Sequence, residues 1–229
     1  MSSTNITRAS SSPQNFGHPF ILEEYIPVPE PTTDTKLCGV CHAPAHDNCS
    51  GCKNILYCST ACQTRGWALH KLLCKPYIKL FDTNERPGPK FRRALYFPVD
   101  AAKPRFVYHA FGDDGTMYGM ARCFPGTPER DIKTVAFHNR YLPYFIQLSY
   151  DTNPESKREL KENSSLGLPF CGPVVALAYD PETALSAPPL DVDTTVLRPL
   201  IEYVKLRAEY GGPVFVEVSV VCGIRERYN

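Results

Sequence analysis

The distribution of its cysteines constrains this chain more than any other feature of the sequence. Seven of the 10 cysteines in 229 residues lie within residues 38–74. Only Cys123, Cys171 and Cys222 lie elsewhere. Thiols gathered so closely either form disulfide bonds or bind metal ions, and the redox environment decides between the two. The clustered residues are Cys38, Cys41, Cys49, Cys52, Cys58, Cys62 and Cys74.

No segment of the sequence indicates secretion or membrane insertion. No run approaches the roughly 20 apolar residues of a membrane-spanning helix, and residues 1–20 lack the uninterrupted apolar stretch of a signal peptide. We therefore expect an intracellular protein, in the nucleus or the cytoplasm, that does not associate with membranes. Clustered cysteines in that reducing environment are typical of metal sites.

The closest spacings among the cysteines are those of zinc ligands. Zinc binds four sulfur or nitrogen ligands in a tetrahedron, and two cysteines separated by two residues can hold one ion from a tight turn. Such pairs occur at residues 38/41 and 49/52, and each contains a glycine, Gly39 or Gly51, that would allow the turn. Both pairs are therefore predicted to bind zinc.

Wider spacings complete the predicted ligand set. Cys58 and Cys62 are four residues apart, as are His70 and Cys74, which places each pair on one face of a helix. Eight ligands make two closed four-coordinate sites, and closed sites are structural rather than catalytic. The spacing leaves open whether the ligands pair consecutively or interleave. The predicted ligands are Cys38, Cys41, Cys49, Cys52, Cys58, Cys62, His70 and Cys74.

Two further histidines, His42 and His46, lie in the loop between the cysteine pairs. Either could compete as a ligand, but the set of eight is complete without them. We interpret both as solvated loop residues. A module this short has little core, so its metals are expected to supply most of its folding free energy, about 10 kcal/mol or more per site.

The full pattern, C-x2-C-x7-C-x2-C-x5-C-x3-C-x7-H-x3-C, resembles the MYND zinc finger. Residues between the ligands agree as well, namely Tyr57, Ser59, Gln63, Trp67 and Lys71. The resemblance implies interleaved sites. One ion would be held by Cys38, Cys41, Cys58 and Cys62, and the other by Cys49, Cys52, His70 and Cys74.

The same resemblance implies a function, because MYND fingers are protein-interaction modules that bind short proline-containing peptides. Ser59, Gln63 and Trp67 match the positions that line the peptide groove. An exposed tryptophan can stack on proline, and a glutamine amide can pair with an extended backbone. Alternatively, Trp67, the only tryptophan, fills the small core of the finger.

The remaining sequence indicates an α+β protein with four segments. We predict a disordered Ser/Thr/Pro-rich tail (1–36), the finger (38–74), a linker (75–93) and an α+β domain (94–229). Apolar runs predict strands at 94–100, 105–111, 145–150, 173–179 and 214–221. Leucine and valine at helical spacing predict a helix around residues 197–204, with Asp193 or Thr194 as its cap and Gly211 as its end. The domain resembles regions that follow MYND fingers in fungal proteins of unknown activity.

The sequence favours an adaptor or transcriptional co-regulator without catalytic activity, whose partners carry Pro-rich peptides. The alternative is an enzyme of unrecognised type in the C-terminal domain. The Asn-His pair of SET methyltransferases, which also contain MYND fingers, is missing, and so are phosphate-binding loops. A thiol hydrolase would need Cys123 or Cys171 beside His109 or His138, and inert buried cysteines are the simpler interpretation.

Nucleic acid is not an expected partner. The formal net charge is +1, and the predicted finger helix carries only Arg65 and Lys71 as basic residues. A helix that reads a DNA groove usually has a clustered basic face. The basic residues between Lys75 and Arg93 are interpreted as a solvated connector.

Overall fold

A six-stranded antiparallel sheet forms the larger part of the fold, and a small two-stranded finger precedes it in the chain. A computed structural model describes residues 36–82, 86–138, 142–183 and 187–209. The predicted N-terminal tail except Lys36, Gly211 and the strand predicted at 214–221 lie outside these ranges. The elements are β1 (Asp47–Asn48), β2 (Leu56–Tyr57), α1 (Thr60–Asp82), β3 (Phe91–Phe97), β4 (Arg105–Phe111), β5 (Met117–Tyr118), β6 (Ile132–His138), β7 (Phe145–Asp151), β8 (Val174–Tyr179) and α2 (Leu197–Glu209).

The large sheet has the order β5-β4-β3-β8-β7-β6. Alternate residues of a strand face opposite sides, so in β3 Leu95 and Phe97 enter one core and Ala94 and Tyr96 enter the other. Every residue of β8 is buried, because this strand lies in the middle of the sheet with both of its faces covered.

Both helices cover the same face of the sheet. Leu73 of α1 and Leu200 of α2 are fully buried in one cluster with residues of β3, β7 and β8. The ring of Tyr203 in α2 stacks on Phe137 in β6, with 4.0 Å between centroids. The opposite face is covered by the segment around Phe124, which is 1% exposed. Helices gathered on one side of an antiparallel sheet make an α+β fold, as predicted.

The linker predicted at residues 75–93 is wrong at both of its ends. Helix α1 runs on to Asp82, and β3 begins at Phe91. The helix continues through Pro76, which has no backbone N–H to donate, because packing of the following turn outweighs the lost hydrogen bond. Tyr77 is 8% exposed, and its ring lies 5.8 Å from that of Phe106 in β4. The finger and the sheet therefore share one helix.

Most predicted strands occur within a few residues of their predicted bounds, as does the helix at 197–204. The strand predicted from residue 94 begins at Phe91, and β6 was missed because IKTVAFH does not alternate clearly between apolar and polar residues. The predicted caps lie upstream of α2, which begins at Leu197. Asp193 instead accepts hydrogen bonds from the backbone N–H and hydroxyl of Thr195, at 2.7 and 2.5 Å. Across the described residues, no helix has the length and apolar character needed to cross a membrane.

Candidate metal centre and peptide-binding face

Both cysteine turns of the finger close in the same way. The N–H of His42 donates to the carbonyl of Cys38, and the N–H of Lys53 donates to the carbonyl of Cys49, each at 3.0 Å. His42 and Lys53 have positive φ angles of 59° and 57°. The left-handed residue of each turn is therefore the one after the second cysteine, and not the glycine as predicted.

Helix α1 positions the other four ligands. Ser59 precedes the helix and caps it, because its hydroxyl accepts the N–H of Cys62 at 3.3 Å. Cys58 lies just before this cap, and Cys62 lies in the first turn. His70 and Cys74 follow on the buried face of the helix, one turn apart, as their spacing predicts.

The fold brings the eight predicted ligands together as two clusters, in the interleaved arrangement. Within each cluster the ligand atoms lie within 4.8 Å of one another. Cluster 1 contains Cys38, Cys41, Cys58 and Cys62, and cluster 2 contains Cys49, Cys52, His70 and Cys74.

The distances between ligand atoms suit tetrahedral zinc. Zinc–sulfur bonds of about 2.3 Å place sulfur ligands about 3.8 Å apart. The sulfur atoms of Cys41 and Cys58 are 3.4 Å apart, and those of Cys49 and Cys74 are 3.8 Å apart. Nε2 of His70 lies 3.4 Å from Sγ of Cys52. Each cluster can therefore hold one zinc ion, and four protein ligands would leave no position for a substrate.

Crowding of the thiols in each cluster calls for a compensating cation. Burial opposes ionisation of Cys38, but backbone N–H groups outweigh it and lower the pKa of this thiol to about 7. Hydrogen bonds to Cys41 and Cys62 raise the pKa of Cys58 to about 12. Burial, followed by the charge of Cys52, raises the pKa of Cys74 to about 12. At Cys58 and Cys74 the neighbouring thiols thus oppose ionisation, and a divalent ion would remove that opposition.

His70 is held in the form that a metal requires. It is 4% exposed, and burial lowers its pKa, which favours the neutral imidazole. Of the other two histidines in the finger, His42 is partly buried and His46 is exposed, and neither belongs to a cluster.

The two clusters differ in their exposure to solvent. In cluster 1, Cys41 and Cys58 are exposed. In cluster 2, Cys49, His70 and Cys74 are each 4% exposed. Cys38 and Cys62 of cluster 1 are buried as well, at 0% and 8% exposure, so the difference lies in the two exposed ligands of cluster 1.

A hydrogen-bonded contact that the sequence did not predict joins cluster 2 to the C-terminal domain. The Asn54 amide donates to Asp193 at 3.1 Å, and its oxygen accepts the N–H and hydroxyl of Thr194 at 3.0 and 2.5 Å. We call these three residues the Asn54 clamp. Oγ1 of Thr194 also lies 4.0 Å from Sγ of Cys52. The partners are separated by 139 or 140 residues, and no local pattern marks them.

The three predicted peptide-contacting residues are spaced by four along one side of α1. Trp67 is 46% exposed, so it does not fill the core of the finger. Its ring lies 6.0 Å from that of His70 and is tilted by 58° to it. Gln63 is partly buried and Ser59 is exposed. The helix therefore presents an indole and an amide on neighbouring turns.

The structure also places the candidates for other activities. Sγ of Cys123 lies 3.7 Å from Nε2 of His109, but both side chains are 4% exposed. Burial raises the pKa of Cys123 to about 11, so the thiol stays protonated at neutral pH. In the basic stretch after the finger, Arg93 is buried, Lys90 pairs with Asp113 at 3.0 Å, and Arg86 pairs with Asp191.

Comparison with known proteins identifies the finger. The MYND finger family matches residues 38–74. The chain is 44% identical over 52 residues to Tudor domain-containing protein 1 from Danio rerio, which is 23% of this chain and 4% of that protein. It is 48% identical over 46 residues to ubiquitin carboxyl-terminal hydrolase 19 from Arabidopsis thaliana, which is 20% of this chain and 7% of the relative.

A third relative names the finger itself. The zinc finger MYND domain-containing protein 10 homolog from Drosophila melanogaster is 46% identical over 37 residues, 16% of this chain and 8% of that protein. The chain thus spans less than a tenth of each of these three relatives. No solved structure matches. With its two ligand clusters and the family match, the chain is a MYND-type zinc finger protein, whose finger occupies residues 38–74.

Proposed function

We propose that this protein is a non-catalytic adaptor that recruits partners through short Pro-rich peptides, which bind beside Trp67 and Gln63. The observation that carries the proposal is the 46% exposure of Trp67 on a helix that the zinc clusters and the sheet both hold. A large apolar ring in this position has no role in the core, and a rigid aromatic side chain loses little entropy on binding.

Proline suits this surface for physical reasons. Its ring stacks on an indole, and a proline-containing segment is extended before it binds, so less entropy is lost. The amide of Gln63, one turn from Trp67, can both donate to and accept from an extended backbone. Ser59 is less available to a peptide than Trp67 or Gln63, because its hydroxyl already caps α1.

The C-terminal domain would supply a second contact with the assembled partners. The buried, protonated thiol of Cys123 gives no support to a thiol hydrolase in this domain. Adaptors of this kind include transcriptional co-regulators. An intracellular location, nuclear or cytoplasmic, fits zinc ligands that must remain reduced.

Tryptophan fluorescence tests the proposal directly, because Trp67 is the only tryptophan in the chain. Titration of the zinc-loaded full chain with Pro-rich peptides should shift its emission, whereas the same peptides with proline replaced by alanine should not. By calorimetry, Trp67→Ala should weaken binding at least about 10-fold and Gln63→Ala about 3- to 10-fold, the cost of one stacking contact and of one hydrogen bond.

The control variant is Lys75→Ala, which removes an exposed side chain of the same helix outside the finger. It should bind peptide like the unaltered chain. If Trp67→Ala and Gln63→Ala kept their zinc and still bound every finger-dependent partner, the proposed surface would be wrong.

A further inference from the structure

We infer that the C-terminal domain controls the retention of zinc in cluster 2, through the Asn54 clamp, and that the two zinc ions are therefore released in a set order. Cluster 1 would lose its ion first. Peptide binding plays no part in this order of release, since the residues of the Asn54 clamp are not used in the proposed function.

The Asn54 clamp holds the turn that carries Cys52. Asn54 lies two residues after Cys52, and its three hydrogen bonds to Asp193 and Thr194 fix the turn that carries this ligand. Thr194 is 3% exposed, so water does not compete for these bonds. Movement of Cys52 away from its cluster would require breaking them.

The chemistry of the Cys52 sulfur atom also favours retention of zinc. A zinc-bound thiolate accepts hydrogen bonds, and loss of such a partner typically lowers metal affinity by roughly 10- to 100-fold. The Thr194 hydroxyl, 4.0 Å from Sγ of Cys52, can rotate to donate to the thiolate. When the hydroxyl turns away, Oδ1 of Asn54 still accepts the hydrogen bond from the backbone N–H of Thr194, at 3.0 Å.

Cluster 1 is more exposed to solvent than cluster 2. Its exposed ligands, Cys41 and Cys58, are open to chelators and to thiol reagents. A charged side chain also contacts a sulfur of this cluster: Nη2 of Arg65 lies 3.7 Å from Sγ of Cys62. Arg65 is itself exposed and belongs to the finger, so this contact does not tie Cys62 to the C-terminal domain.

Chelator-driven zinc release tests the inference on the full chain loaded with two zinc ions. Release should occur in a fast and a slow phase. Alkylation with N-ethylmaleimide followed by peptide mapping should find Cys41 and Cys58 modified in the fast phase, and Cys52 and Cys74 in the slow one. A single phase, or earlier modification of Cys52 and Cys74, would overturn the inference.

Variants of the clamp separate its effect from a general loosening of the domain. Thr194→Val should accelerate the slow phase about 10-fold, in line with the loss of one partner of a ligand. Thr194→Ser keeps the hydroxyl and should release zinc at the rate of the unaltered chain. Thr195→Val is the matched control, because the Thr195 hydroxyl contacts no cysteine and bonds Tyr144 and Oδ1 of Asp193, whereas Asn54 bonds Oδ2.

The two valine variants must differ for the inference to stand. Equal acceleration by Thr194→Val and Thr195→Val would mean that any weakening before α2 releases zinc, and the specific role of Thr194 would be refuted. No acceleration by Thr194→Val, with circular dichroism unchanged, would refute it as well.

Discussion

At the scale of single residues, Gly66 lies where α1 meets the first cysteine turn. A Cβ atom at this position would lie 2.9 Å from Cγ2 of Val40 and 3.1 Å from Cε1 of Tyr57. Tyr57 is 2% exposed and belongs to the core of the finger, so it has little room to move. The missing side chain therefore allows the helix to approach closely enough for its ligands to join both clusters.

We expect Gly66→Ala to lower the free energy of unfolding by about 1–2 kcal/mol, because the clash outweighs the gain of about 1 kcal/mol in helix propensity. Urea denaturation of the zinc-loaded protein would measure the change. Thr64→Ala, at an exposed position of the same helix, is the control and should be neutral or slightly stabilising. A stabilising Gly66→Ala would contradict the close approach.

At the scale of elements, α1 serves both parts of the protein. The part of α1 up to Cys74 carries the ligands Cys62, His70 and Cys74, while Leu73 and Tyr77 pack on the C-terminal domain. Arg93 strengthens this contact, since its guanidinium lies 5.0 Å from the centre of the Tyr77 ring and 5.5 Å from that of Phe106. The finger and the sheet are therefore expected to unfold together.

Leu73→Ala tests this coupling. The side chain is 0% exposed, and its truncation should cost about 2–5 kcal/mol. Trp67 fluorescence, which reports on the finger, and far-ultraviolet circular dichroism, which reports on the whole chain, should shift to the same lower midpoint. Leu190→Ala, at a leucine that is 40% exposed, should change either midpoint little. A finger transition that stayed in place would show that the two parts are independent.

At the scale of the whole molecule, the finger contains every zinc ligand but not every contact that stabilises it. A fragment of residues 30–80 keeps all eight ligands and should bind two zinc ions by elemental analysis. It loses the sheet that covers Leu73 and Tyr77, so sedimentation should detect self-association. Fewer than two zinc ions in the fragment, with two in the full chain, would mean that residues outside the finger bind metal.

Removal of zinc from the full chain should unfold more than the finger. The metals are expected to supply most of the folding free energy of the finger, and the finger contains α1 as far as Cys74. We expect a chelator to reduce helical circular dichroism and to lower the melting temperature of the remaining sheet, and restored zinc to reverse both. An unchanged melting temperature would contradict the shared helix.

The sequence by itself determined the ligands, most of the strands and the second helix. Cysteine spacing is a local requirement of tetrahedral zinc, so it can be read without the fold. The continuous apolar run of β8 and the helical spacing of α2 are equally local signals, because the first marks a strand buried on both faces and the second a helix buried on one. The resemblance to the MYND finger predicted that the ligands of the two sites interleave, whereas the spacing alone also allowed consecutive pairing.

Only the tertiary structure decided how the two parts meet. The continuation of α1 through Pro76 depends on Phe106 and Arg93, which lie far along the chain and give no local signal. The exposure of Trp67 and the bonds from Asn54 to Thr194 likewise depend on which surfaces approach each other. Contacts between distant residues are set by the free energy of the whole packed chain, and a short pattern cannot encode them.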